Sequence, residues 1–316
     1  MRALPEPGPP RCAVLAHALD EPLAGTARVA PRRDRVEPRA AWPRDVAAHP
    51  EPAVRDLALR AGAAGWRLLL VRHPGRQPGP DEDGARPSRV FLADTTPPHP
   101  RITSIDVPAP ELADLPLPAA GTDLPGAPVA EPLLLVCTHG RRDRCCALDG
   151  RALVAAVAPG CPDVWEATHL GGHRFAPTAL VLPTGYLYGR LDPTTAIAAR
   201  KAAGHGEVEP TLCRGRSTWS PAGQVAELAV RWATGLRDAG ALTVEERAGS
   251  DEVDVLAADG RRWVVPVRRV AGCGARPTSC GAAAEPIEAL RAVAVHPVDA
   301  APTRSWTPCR SRSPRR

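Results

Sequence analysis

The chain has 316 residues, more than one core usually needs, and its 44% hydrophobic content marks a folding chain, although 38 prolines and 3% aromatic residues keep the folded part shorter than the whole. Forty basic residues against 35 acidic ones give +5, with several of the extra charges in the terminal "TRSWTPCRSRSPRR". That excludes the basic, aromatic-interleaved face expected of a nucleic-acid binder, and no apolar run is long enough to span a membrane.

The N-terminal "MRALPEPGPPRCAVLAHALDEPLAG" has no apolar stretch of signal-peptide type, so the expected location is the cytoplasm. Residues 31–45, "PRRDRVEPRAAWPRD", are too charged and proline-rich for a central strand. "WRLLLVR" (66–72) and "VFLAD" are apolar runs of buried-strand type, separated by the loop "HPGRQPGPDEDGARPS". Residues 107–131 hold six prolines without helical or strand period and read as a linker between domains.

"PLLLVC" (132–137) reads as a buried strand ending at a cysteine, and "CALDGRALVAAVA" (146–158) as a helix despite Gly150. "TALVLPTGYLYGRL" reads as a hairpin. Residues 220–240 read as a helix with Ser220 as cap, Pro221 in the first turn, Leu228 and Trp232 on one stripe, and a closing glycine. The order strand, helix, loop, hairpin, helix predicts an α/β, thioredoxin-like domain with a mixed sheet over 132–240. A small β-hairpin appendage is expected over 241–300 and a disordered basic tail over 301–316. A strand, an "RD" loop and a helix recur around "PRDVAAH" and "RRDRCCAL", a faint internal duplication.

Nine cysteines, an odd set in a chain without an export signal, favour metal or redox chemistry over a disulfide framework. Four residues stand out: Cys137 and Cys146 in a C-x8-C loop, then His169 and His173 in H-x3-H around Gly171 and Gly172. Thiolates with imidazoles suit zinc or an iron–sulfur cluster. The eight-residue gap is wider than a zinc knuckle and leaves room for [2Fe–2S], with the glycines allowing close approach of the histidine loop to the sulfides. Arg141, Arg142 and Arg144 add donors and positive charge, and His139 lies inside the cysteine loop. Cys161 and Cys213 read as core or loop fillers, Cys273 and Cys280 lack a histidine partner, and Cys12 and Cys309 have no expected role.

"CTHGRRDRCCALDGRAL", "THLGGHRFAPTALVLPTGYLYGRL" and "CRGRSTW" resemble the sucrase/ferredoxin-like family, with weaker echoes in "EPLAGTARVA", "FLAD" and "RPTSCG". The resemblance implies a thioredoxin-like ferredoxin in which Cys137, Cys146, His169 and His173 bind [2Fe–2S]. His139, Arg141, Arg142, Arg144, Gly171 and Gly172 would surround the ligands. Against the family pattern the charged 31–45 stretch marks residues 1–106 as a degenerate α/β domain. The function implied is one-electron transfer with redox partner proteins, a reductase among them, since no flavin or dinucleotide fingerprint is present in the chain. Neutral imidazoles should raise the potential above that of an all-cysteine centre and couple reduction to proton uptake. The alternatives are a thiol-redox enzyme using Cys145 and Cys146, or a structural zinc module. No carboxylate pair suggests a glycosidase.

Overall fold

The computed structural model describes residues 10–37, 41–75, 87–247 and 249–298; the tail expected to be disordered lies outside them. After a short helix α1 (Cys12–Ala18), the first half contains β1 (Arg32–Val36), α2 (Pro52–Ala63), β2 (Trp66–Arg72), β3 (Ser88–Asp94), β4 (Arg101–Val107) and the short β5 (Ala127–Pro128). Helix α2 carries proline in its first turn, where no N–H is lost, and buries Val54, Leu57 and Ala61 at helical spacing.

The charged stretch does form a central strand, contrary to expectation. β1 pairs parallel with β2 and antiparallel with β3. Its alternation sends Asp34 and Val36 toward the α2 side, in register with Leu68 and Leu70 of β2, and Arg33 and Arg35 toward the opposite face. All three charged side chains are fully buried. A hydrophobic reading misses such a strand because backbone pairing on both edges, rather than side-chain apolarity, holds it in place.

The second half contains β6 (Leu133–Cys137), a π-turn over Cys146–Gly150, α3 (Arg151–Val157), β7 (Val164–Ala167), β8 (Ala179–Leu182), β9 (Tyr186–Tyr188), α4 (Pro193–Gly204), β10 (Cys213–Arg216) and α5 (Pro221–Thr234). β6 is buried on both faces: Leu134 and Val136 point into one core, Leu133, Leu135 and Cys137 into the other. The expected hairpin is β8–β9. Ser220 caps α5 as expected, but the helix closes at Gly235, whose φ of +73° suits glycine, and not at Gly240. Trp232, expected on the apolar stripe, is 64% exposed. Helix α4, capped by Asp192, has no counterpart among the expected elements.

One mixed sheet of ten strands runs through both halves in the order β10-β9-β8-β6-β7-β2-β1-β3-β4-β5, so the α/β class and the mixed sheet stand. Within it β9-β8-β6-β7 and β4-β3-β1-β2 have the same topology: two parallel strands joined through a helix, then an antiparallel pair. They meet back to back where β2 and β7 pair antiparallel through Val71 with Ala167 and Arg72 with Glu166. The faint duplication in the sequence is thus a repeated topology about a pseudo-two-fold.

The 107–131 stretch, expected as a linker, lies packed on the first half. Leu112 and Leu115 are buried there, the Pro118 carbonyl accepts from Trp66 Nε1 at 3.1 Å, and β5 pairs with β4. The appendage is larger than a hairpin: β11 (Leu242–Glu246), β12 (Glu252–Ala257), β13 (Arg262–Pro277), β14 (Ala284–Ala292) and β15 (His296–Val298) form a five-stranded antiparallel sheet packed on α5. Among the described residues no helix is long and apolar enough to cross a membrane.

Candidate metal centre

Cys137 ends β6, its N–H bonded to the Thr178 carbonyl at 2.9 Å. The chain then loops through residues 138–145 and returns in the π-turn that begins at Cys146. Gly150 makes that return feasible, because a Cβ there would stand 2.0 Å from the Cys137 carbonyl oxygen. The turn therefore rests directly on the strand end, and the Cys137 and Cys146 sulfurs and a His169 ring nitrogen all lie within 4.8 Å of one another. His173 stands outside that group of three but beside it, its ring centroid 4.9 Å from that of His169.

Both cysteines are buried and both histidines half-buried. Hydrogen bonding from Cys146 draws the Cys137 thiol well below its ordinary pKa against the opposing effect of burial, with His169 and the His139 backbone N–H helping. The same bond, then burial, pushes Cys146 up. Among the described residues the Nδ1 atoms of His169 and His173 are buried with no hydrogen-bond partner. Orphaned imidazole nitrogens beside paired thiols are the donor set that an iron–sulfur centre or zinc takes, so the residues fit the group that the sequence resemblance implies.

The histidine loop is gripped by two arginines that sequence reasoning did not single out, Arg214 fully buried and Arg67 half-buried. Arg67 donates to the His169 carbonyl at 2.8 Å and Arg214 to the Gly171 carbonyl at 2.9 Å. Arg214 also bonds the Thr26 hydroxyl at 3.0 Å and the Thr26 carbonyl. Burial lowers their pKa values to about 10 for Arg67 and about 9 for Arg214. Gly172, with φ of +71°, lies under the Arg214 guanidinium: a Cβ there would meet Nη2 at 2.3 Å. Its smallness serves this contact. Gly171 shares a positive φ, and a Cβ on it would make only ordinary contact with Arg28.

His139 also departs from expectation. Its ring turns away to Trp42 and Pro43, with Nε2 2.8 Å from the Pro43 carbonyl oxygen, and only its backbone N–H serves the Cys137 sulfur. Arg141, Arg142 and Arg144 are exposed. Arg142 lines a cleft of about 240 Å³ with Arg28, Arg44, Arg67, His139 and His169, where Asp45 is the single acidic lining residue among the described residues. Cys145, by contrast with its neighbour Cys146, belongs to a separate group with Cys12, Cys280 and Asp143. Asp143, 5% exposed, is a further residue beside the centre that sequence reasoning missed; it faces His173 Nε2 at 3.8 Å, and its place in the "RRD" run was the available signal.

No curated protein and no solved structure matches the chain. The sucrase/ferredoxin-like family model matches residues 36–215, a span that starts in β1, takes in both repeated topologies and the Cys137–His173 centre, and ends in β10 beside Arg214. With more than half of its length so matched, this chain belongs to the sucrase/ferredoxin-like family.

Proposed function

We propose that the protein is a one-electron carrier that holds a [2Fe–2S] cluster through Cys137, Cys146, His169 and His173, and that it works in the cytoplasm with redox partner proteins. The observation that carries this reading is the convergence of two buried thiols with the His169 imidazole, with His173 beside it and the Nδ1 atoms of both without a hydrogen-bond partner among the described residues. Bound there, such a cluster supplies one-electron transfer, at a potential raised above that of an all-cysteine centre by its neutral imidazole ligands.

The chain's own residues shape that chemistry. β6 and the π-turn keep water from the sulfurs, while the half-buried histidines form the side nearest solvent. Arg67 and Arg214 fix the histidine loop and place positive charge beside the thiolates, which favours the more negative, reduced state. The arginine-lined cleft next to His169 suits an acidic partner surface, whose approach it would steer. Cys145 and Cys146 direct their sulfurs into different groups, which disfavours their use as a nucleophile and resolver pair.

The test is the visible spectrum with iron and acid-labile sulfide analysis of protein purified without oxygen, beside a His169→Ala, His173→Ala double variant. Colour with equal iron and sulfide, lost in the variant, is the expected result. A colourless chain without iron overturns the reading.

A further inference from the structure

Three sulfurs converge a second time, away from the Cys137 group. Cys12 Sγ lies 3.6 Å from Cys145 Sγ and 3.7 Å from Cys280 Sγ, and the Cys145 and Cys280 sulfurs are 3.4 Å apart. A disulfide would require about 2.05 Å, and three thiols could not all be paired that way. A tetrahedral zinc ion with bonds to sulfur of about 2.3 Å sets its sulfurs about 3.8 Å apart, close to this triangle. Both Asp143 carboxylate oxygens lie 3.9 Å from Cys12 Sγ, and all four side chains offer donor atoms within 4.8 Å of one another.

We propose that Cys12, Cys145, Cys280 and Asp143 form a second metal site that binds one zinc ion in a closed, structural coordination. Three thiolates select a borderline-soft cation and disfavour calcium or magnesium, which take oxygen donors. The donors are held before any metal arrives. Asp143 accepts the backbone N–H of Cys145 at 2.8 Å and that of Cys280 at 2.9 Å. Cys12 and Cys145 are fully buried, and Arg11 and Arg276 bring positive charge toward the thiols. Arg276, four residues before Cys280, is anchored to the buried Glu21 carboxylate at 2.6 Å, which places the β13–β14 turn independently of any metal.

The site has a definite job. Its ligands come from the start of α1, the cysteine loop and the tip of the β13–β14 hairpin, 133 and 135 residues apart along the chain. Zinc would lock these three segments together and hold Asp143 against His173. Because the site shares no ligand with the Cys137 group, its occupancy is independent of the electron-carrier reading.

The test is metal analysis of the full-length chain purified under reducing conditions, with zinc-edge X-ray absorption, in the wild type, in a Cys137→Ser, Cys146→Ser variant and in Cys280→Ser. The expected result is one zinc per wild-type chain with three sulfur neighbours and one oxygen, kept in the first variant and lost in the second. Iron and sulfide, measured in the same samples, report separately on the first centre. Wild-type protein free of zinc and with these three thiols all open to alkylation would overturn the proposal. So would a disulfide among them, seen as a 2 Da deficit by mass spectrometry, or zinc bound by two sulfurs and two nitrogens; all three readings come from the wild type and hold even where a variant fails to fold.

Discussion

At the residue scale, the histidine loop depends on what lies beneath it. Gly172→Ala must carry a side chain at a φ of +71° and displace the buried Arg214 guanidinium. The backbone conformation alone costs about 1 kcal/mol, and loss of Arg214 bonds to Thr26 and Gly171 adds a further ~1–2 kcal/mol. Denaturant titration should therefore show the variant less stable by ~2–3 kcal/mol, whereas Gly171→Ala, with no close contact to relieve, should lose only the backbone part. Which glycine matters more could not be read from "HLGGH" itself, since both positions look alike until Arg214 arrives from a strand more than forty residues later. The ligand candidates were legible because their chemistry is carried by residue type and spacing. Arg67 and Arg214 were not, because in a chain so rich in arginine only their bonds to the histidine loop distinguish them.

At the scale of the element, β1 carries a cost that its place in the sheet imposes. Burial raises the Asp34 carboxyl to about 7, and neither of its oxygens has a hydrogen-bond partner among the described residues. A folded pKa above the unfolded one means that the native state holds a proton the unfolded chain releases. The penalty is absent below the unfolded value of 3.8, grows as pH rises and is complete above about 7. Asp34→Asn should thus gain ~2–3 kcal/mol more at pH 8 than at pH 5 relative to wild type. Chemical denaturation at the two pH values checks this, and an equal effect at both would show that Asp34 does not titrate. Strands with an apolar signature, such as β2 and β6, were legible at this scale. β1 was hidden because two partner strands impose extended backbone on a polar sequence, and α4 because its alanine-rich buried face gives a weak apolar stripe.

At the scale of the whole molecule, Glu21 joins parts that are remote in sequence. Its buried carboxylate accepts from Arg174, next to His173, and from Arg276 on β13. Burial alone would raise its pKa, yet these bonds keep it below the ordinary value. Glu21→Ala strands two arginines and should cost ~3–5 kcal/mol in thermal or denaturant unfolding, far more than removal of the exposed pair Arg89–Asp106. Long-range joints of this kind leave no mark on local sequence, although the repeated "RD" loops did hint at the doubled topology. That doubling has a directional consequence. β2 and β7 run antiparallel and pair through their last two residues, so the chain that leaves β7 runs back along β2, Thr168 bonding Leu70 and His169 reaching Arg67 near the start of β2. What the first half presents to the centre is Arg28 and Arg67, making it the counter-charge to its sibling.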